Sequence, residues 1–268
     1  MRNVGFRQFF KPVQPGVRLQ NEVGYTEVLP ETQLLTYIYC YWQLRSEFPL
    51  AAPFSYRVIP DGCVDIFFDV NDPADCRIMG FSTVPTEYML AHSFHYAGIR
   101  FLPGAFPLMF NLDASSLTNR DEALDIVIPR VAKQLRDLVE GATSLARIKL
   151  LLDQYFLKKV TAVSIIDKRL YNAIMIILRD HGALNLKSEM DIGISPRQLR
   201  RLFEFYVGTS PKMFSKVIRF QYFLQLLSSP GGQGHNKAFL EAGYYDQPHF
   251  NKDFKTFFGL TPTEALRA

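Results

Sequence analysis

Two stretches about fifty residues apart carry the same design, and that repeat constrains the chain more than any other feature. The first is GISPRQLRRLFEFYVG, Gly193 to Gly208, and the second is GYYDQPHFNKDFKTFFG, Gly243 to Gly259. Each opens with a glycine, for a tight turn, and a small polar residue, Ser195 or Asp246, able to accept from the unpaired N–H groups of a helix start. A proline follows near the first helical position, where a missing N–H costs nothing. Leu199, Leu202, Phe203 and Tyr206 recur at helical spacing, which predicts one apolar stripe facing a core. Phe250 and Phe254 stand where Leu199 and Phe203 stand in the first copy. Gly208 and Gly259 end the two helices, and Thr209-Ser210-Pro211 and Leu260-Thr261-Pro262 come after them as matching exits. One copy alone is equally well read as a solvated amphipathic helix. A repeated turn, helix, glycine and proline unit is far more specific than either copy.

The outer faces carry long hydrogen-bonding side chains suited to phosphates and base edges. In the first copy these are Arg197, Gln198, Arg200 and Arg201. In the second they are Gln247, His249, Asn251, Lys252 and Lys255, with Pro248 among them. A short capped helix with a cationic outer face and a tight turn before it is what a major-groove reader needs.

The segment from about Asp167 to Ala268 resembles the DNA-binding domain of the AraC-type transcription regulators, most closely in GYYDQPHFNKDFKTFFGLTPTEAL. The resemblance implies two helix-turn-helix units joined by a long helix, here Pro211 to about Leu227, reading successive major-groove segments. By family position the base contacts fall on Arg197, Arg200 and Arg201, then on Gln247, Pro248, His249 and Lys252. It also implies a small-molecule effector, pairing into a homodimer and contact with RNA polymerase. The chain departs from the family in three places. Leu186 to Ile192 lacks the small Ala expected in the first supporting helix. Phe239 stands where the second such Ala would lie. Glu204 replaces a common phosphate-facing Lys.

Charge agrees with this division. From Asp167 onward there are 14 Lys/Arg and 9 Asp/Glu, an excess of +5, whereas the preceding part carries 16 and 17, or −1. The basic excess lies with the repeated helices, as a polyanionic partner requires. The 268 residues suffice for two domains, and at 48% hydrophobic and 14% aromatic they can bury sizeable cores. No apolar run is long enough to span a bilayer, and the start, MRNVGFRQFFKP, lacks an apolar stretch of the signal-peptide kind. Three cysteines, Cys40, Cys63 and Cys76, predict reduced thiols in a cytoplasmic protein.

The predicted fold is α+β: over residues 1–160 short strands with regular turn signals suggest a mainly-β barrel or sandwich, which the family resemblance makes a cupin-like barrel with flanking helices, a sensing and pairing domain, and an all-α DNA-binding domain follows over 161–268. Residues 1 to about 20 read as an arm without firm structure. Strands are expected from Tyr25 through Phe101, including a hairpin of Phe54–Ile59 and Val64–Val70 around Pro60-Asp61-Gly62. Helices are expected over Asp121–Glu140, Ser144–Val160 and Thr161–Asp180. The stretches RVIPDGCVDIFF and IRFLPGAFPLMF resemble an N-terminal domain found on some such regulators.

The competing sites are weaker. His92 and His95 sit close in sequence, but three apart on a strand their rings point to opposite faces, so neither metal nor cofactor is expected. Cys63 lies among acidic residues, which suits a buried thiol better than a reactive one. No phosphate loop, nucleophile elbow or zincin motif is present, and no catalytic residue is expected. The alternatives are a cupin-like metal-binding enzyme or sensor with a vestigial helical tail, and an interaction module whose first unit no longer touches DNA.

Overall fold

The computed structural model describes residues 5–14, 22–161, 166–183, 192–228 and 235–265. The N-terminal part is mostly β. Six antiparallel strands form one sheet: β1 (Val23–Val28), β2 (Ile38–Ser46), β7 (His95–Phe101), β4 (Val64–Asp69), β5 (Cys76–Met79) and β8 (Asp121–Ala123), in that order across the sheet. The other two, β3 (Phe54–Val58) and β6 (Thr86–Leu90), pair only with each other.

Alternation on the central strands assigns the two faces of the large sheet. Ile66 and Phe68 of β4, with Ala97, Ile99 and Phe101 of β7, join the main core under the helices. Trp42 and Leu44 of β2 and Phe67 of β4 turn the other way and meet Tyr56 and Leu90 of the β3–β6 ribbon. Gly98 sits opposite Trp42, where a Cβ would run into the indole, so glycine is what lets that ring lie across the strand.

The helices are α1 (Gly5–Phe9), α2 (Ala105–Phe110), α3 (Leu124–Val127), α4 (Pro129–Val139), α5 (Leu145–Val160) and α6 (Lys168–Arg179), then α7 (Pro196–Val207), α8 (Pro211–Ser228), α9 (His235–Glu241), α10 (Gln247–Phe258) and α11 (Pro262–Ala265). Helix α5 packs on β2. There the buried Asp153 carboxylate accepts from the Tyr41 hydroxyl (3.0 Å), the Glu31 N–H (3.0 Å) and Lys149 Nζ (2.5 Å). A buried charge held by three donors is tolerated where an unpaired one would not be.

Four sequence expectations need correction. The N-terminal arm is ordered over its described residues: Phe6 and Phe10 are buried, and Phe6 packs on Tyr171 of α6 at 4.7 Å. Its aromatic residues, read as composition, are core. Phe54–Val58 and Val64–Asp69 do not form a hairpin; Pro60-Asp61-Gly62 carries the chain from the ribbon to the large sheet. The helix expected over Asp121–Glu140 is three elements, because Asp121–Ala123 pairs with β5 and the residue before Pro129 is held out of helical geometry. Helix α6 starts at Lys168, where Asp167 accepts from the Arg169 N–H at 2.8 Å. Arg169 also holds the Asp167 carboxyl down at about 2.

Candidate nucleic-acid interface and ligand cavity

Helices α7 and α10 have the same construction, as the repeat predicts. Ser195 caps α7 by accepting from the Gln198 N–H at 3.3 Å, and Gln198 Oε1 accepts from the Ser195 N–H at 3.1 Å. Asp246 caps α10 by accepting from the His249 N–H at 2.7 Å. Gly193 and Gly243 ahead of the helices, and Gly208 and Gly259 behind them, all have left-handed backbones, with φ between 70° and 89°. These are the conformations in which a side chain is strained. The repeated exits cap the next helices: Ser210 accepts from the Met213 N–H of α8 and Thr261 from the Glu264 N–H of α11.

Helix α8 is the spine between the units. Phe203 of α7 packs on its Phe214 at 5.9 Å, while Phe250 and Phe254 of α10 pack on Phe223 and Phe220 at 4.6 and 5.8 Å. Lys216 Nζ donates to Asp253 of α10 at 2.8 Å. Arg219 donates to the Gly182 carbonyl at 2.7 Å and lies over the Tyr244 ring, so one side chain touches both units.

Packing these stripes inward leaves the polar faces outward. Arg197, Gln198, Arg200 and Arg201 are exposed on α7, and Gln247, Pro248, Asn251, Lys252 and Lys255 on α10. Two expected contacts are differently placed. Arg200 Nε donates to Glu204 at 2.7 Å, so one arginine is engaged along its own helix. His249 is partly buried, with its ring 5.4 Å from Tyr244 and Nε2 3.5 Å from Asp253. The expected shortfall of small residues in the first supporting helix lies at Leu186–Ile192, mostly outside the described residues. In the second, Ala238 and Ala242 are fully buried and Phe239 stacks on Phe250 at 5.4 Å. The small residues are therefore present, one turn apart.

A cavity of about 280 Å³ lies between the large sheet and the ribbon. Sequence reasoning missed it, since its walls come from seven strands. Trp42, Tyr56, Phe67, Tyr88 and Tyr96 line it, together with Asp65, Arg77, Arg100 and Asp121. Arg100 is buried and meets three carboxylates: Asp65 at 3.0 Å, Glu27 at 3.5 Å and Asp61 at 3.6 Å. Trp42 Nε1 also donates to Asp65, at 3.0 Å. Burial drives the Asp65 carboxyl up to about 6 against the pull of Arg100, with Asp61 adding repulsion. Arg77 donates to Asp121 at 2.8 Å, and the Tyr88 hydroxyl donates to the same carboxylate at 2.8 Å.

The other candidates resolve into structural roles. Cys40, Cys63 and Cys76 are buried free thiols, each pushed upward by burial. His92 Nδ1 lies 2.8 Å from the Leu50 carbonyl, and His95 Nε2 lies 2.9 Å from Gln43 Oε1. Among the described residues no group of three His, Cys, Asp or Glu is placed to hold a metal, and no helix is long and apolar enough to cross a membrane.

Residues 26–123 match the family model of a domain of unknown function, DUF6597, and residues 191–268 match that of a helix-turn-helix domain. No curated protein matches the chain. Among solved structures, the chain is similar to ToxT of Vibrio cholerae. ToxT bound to (E)-4-(8-methylnaphthalen-1-yl)but-3-enoic acid is 14% identical, covering 91% of this chain and 97% of that one at a TM-score of 0.41. An apo ToxT variant is 11% identical over 91% and 96%, at 0.39. ToxT bound to an unsaturated fatty acid is 13% identical over 91% and 94%, at 0.34. With its two capped, glycine-bounded helices on a common spine and the match over residues 191–268, the C-terminal part of the chain is a helix-turn-helix domain.

Proposed function

We propose that α7 and α10 each enter a major-groove segment of one DNA site, and that the occupant of the cavity sets how firmly they do so. The observation that carries the first half is the pair of 12-residue helices with matched caps, both presenting exposed cationic and amide side chains. Phosphate contacts supply affinity, and side chains reaching base edges supply sequence. Arg197, Gln198, Arg200 and Arg201 act in the first unit. Gln247, Pro248, His249, Asn251, Lys252 and Lys255 act in the second, where Asp253 lies 3.5 Å behind the His249 ring.

The second half rests on what the cavity walls touch. The ribbon that covers the cavity also meets the second unit: the Arg57 guanidinium lies 5.9 Å from the Phe258 ring, and Gly259 sits against Pro85. The loop holding Asp61 meets the spine, with the Pro60 carbonyl accepting from Gln221 Nε2 at 2.8 Å and Gly62 packed beside Phe214 and Ile218. The Thr118 hydroxyl donates to the Gly208 carbonyl at the end of α7. A ligand that shifts the ribbon or this loop changes contacts to both readers, and only such a differential contact can move the equilibrium between arrangements. Pairing of two chains, contact with RNA polymerase and a cytoplasmic site of action belong to the same reading.

The test uses the full chain and a duplex selected from a random pool. Affinity should fall steeply with salt and exceed that for a scrambled duplex. Val58→Phe, which fills part of the cavity, should change the affinity for the selected duplex severalfold. Unchanged affinity would remove the cavity from the mechanism, and equal binding of selected and scrambled duplexes would remove sequence-specific reading.

A further inference from the structure

The walls of the cavity also state what it holds. Both guanidiniums that face it are already occupied: Arg77 by Asp121, and Arg100 by Asp65 with Asp61 and Glu27 behind it. A carboxylate or phosphate entering the cavity would either crowd against these carboxylates, like charge on like, or displace one of them. The displaced carboxylate would then be left buried and unpaired, which is costly. Counting Asp75 at the edge, five carboxylates stand in or directly behind the walls against two guanidiniums. The remaining surface is aromatic. Phe67 lies at the centre of a ring cluster, 6.2 Å from Trp42, 6.3 Å from Tyr88 and 6.5 Å from Tyr96. Aromatic faces carry negative potential and attract organic cations, the more so away from water.

Resting on the reading of this cavity as the effector site, we infer that its ligand is an organic cation: an amine or quaternary ammonium group on a flat or apolar skeleton. The ring cluster takes the skeleton and the cationic group together. Asp65, Asp75 and Asp121 supply the counter-charge without giving up their own partners, since a carboxylate has room for several donors.

Trp42 is the only tryptophan of the chain and stands in the cavity wall, so its emission reports occupancy directly. The full-length protein is titrated with three probes of one skeleton: 2-phenylethylammonium, neutral 2-phenylethanol and anionic 3-phenylpropanoate. The cation should change the emission saturably and bind about tenfold or more tightly than either counterpart. Phe67→Leu should weaken the cation severalfold, and Asp65→Asn should reduce its advantage over the alcohol severalfold. Because Asp65→Asn also unsettles Arg100, thermal unfolding is followed for both variants. Equal or tighter binding of 3-phenylpropanoate or 2-phenylethanol overturns the assignment, and so does a wild-type response to none of the three. Either result leaves the effector reading standing if Val58→Phe still changes DNA affinity. If Val58→Phe has no effect, that reading fails on its own.

Discussion

Glu204 offers a perturbation whose sign and size are set by the structure. It accepts from Arg200 Nε at 2.7 Å one helical turn away, with the arginine side chain 68% exposed and the glutamate 41%. An exposed pair of this spacing contributes only about 0.3–0.5 kcal/mol to stability, so Glu204→Gln should lower the melting temperature only slightly. On DNA the effect has the opposite sign. The substitution removes a negative charge from the cationic face and frees Arg200 for a phosphate. One added phosphate contact steepens the dependence of log affinity on log salt by about 0.9. Over a fourfold change in salt, from roughly 200 to 50 mM, that slope enlarges the advantage over wild type by a factor of about three. The assay is fluorescence anisotropy of a labelled duplex over a salt series, with thermal unfolding run alongside. An unchanged slope with unchanged or weaker binding would refute the reasoning and show that the face of α7 around Arg200 does not meet phosphate.

Ser195→Ala and Asp246→Ala each remove a helix cap and should cost roughly 1 kcal/mol of stability, read by thermal unfolding; no loss in either would mean that the caps do not hold the recognition helices. Asp65, raised to about 6, is neutral well below that pH and ionised above it. Binding of 2-phenylethylammonium should therefore strengthen as pH rises through about 6 and weaken below it, with Arg100, Asp61 and Glu27 as the charged neighbours. The same titration of Trp42 emission at pH 5 and pH 7.5 checks the sign, and stronger binding at pH 5 would contradict it.

The two matched helices α7 and α10 were legible in the sequence because their chemistry is local. Caps, prolines, glycines and a helical stripe all lie within sixteen residues of one another, Gly193 to Gly208 in the first copy, and a repeat fifty residues on removes the ambiguity of a single copy. What the repeat could not show is what the side chains on those faces meet: Glu204 takes up Arg200 in a hydrogen bond, and the buried Asp253 sits 3.5 Å behind His249. The strands were mostly legible, but their partners were not. Pro60-Asp61-Gly62 reads as a hairpin turn, and only the distant pairing of Phe54–Val58 with Thr86–Leu90 shows that it joins two sheets. The cavity was illegible for the same reason. Arg100, Asp65, Asp61 and Glu27 are scattered along the sequence, and only the register of β4 on β7 sets Asp65 beside Arg100. Phe6 and Phe10 looked like composition in a terminal arm because the surfaces that bury them, including Tyr39 of β2 and Tyr171 of α6, are distant from them in sequence.

The central claim is that one chain carries two readers of one DNA site, and comparative footprinting of the full-length protein tests it most directly. Wild type should protect two groove segments about one helical turn, roughly 34 Å, apart. Arg201→Ala should lose protection over one segment and Lys252→Ala over the other. Loss over the same few base pairs in both variants would contradict the two-reader claim.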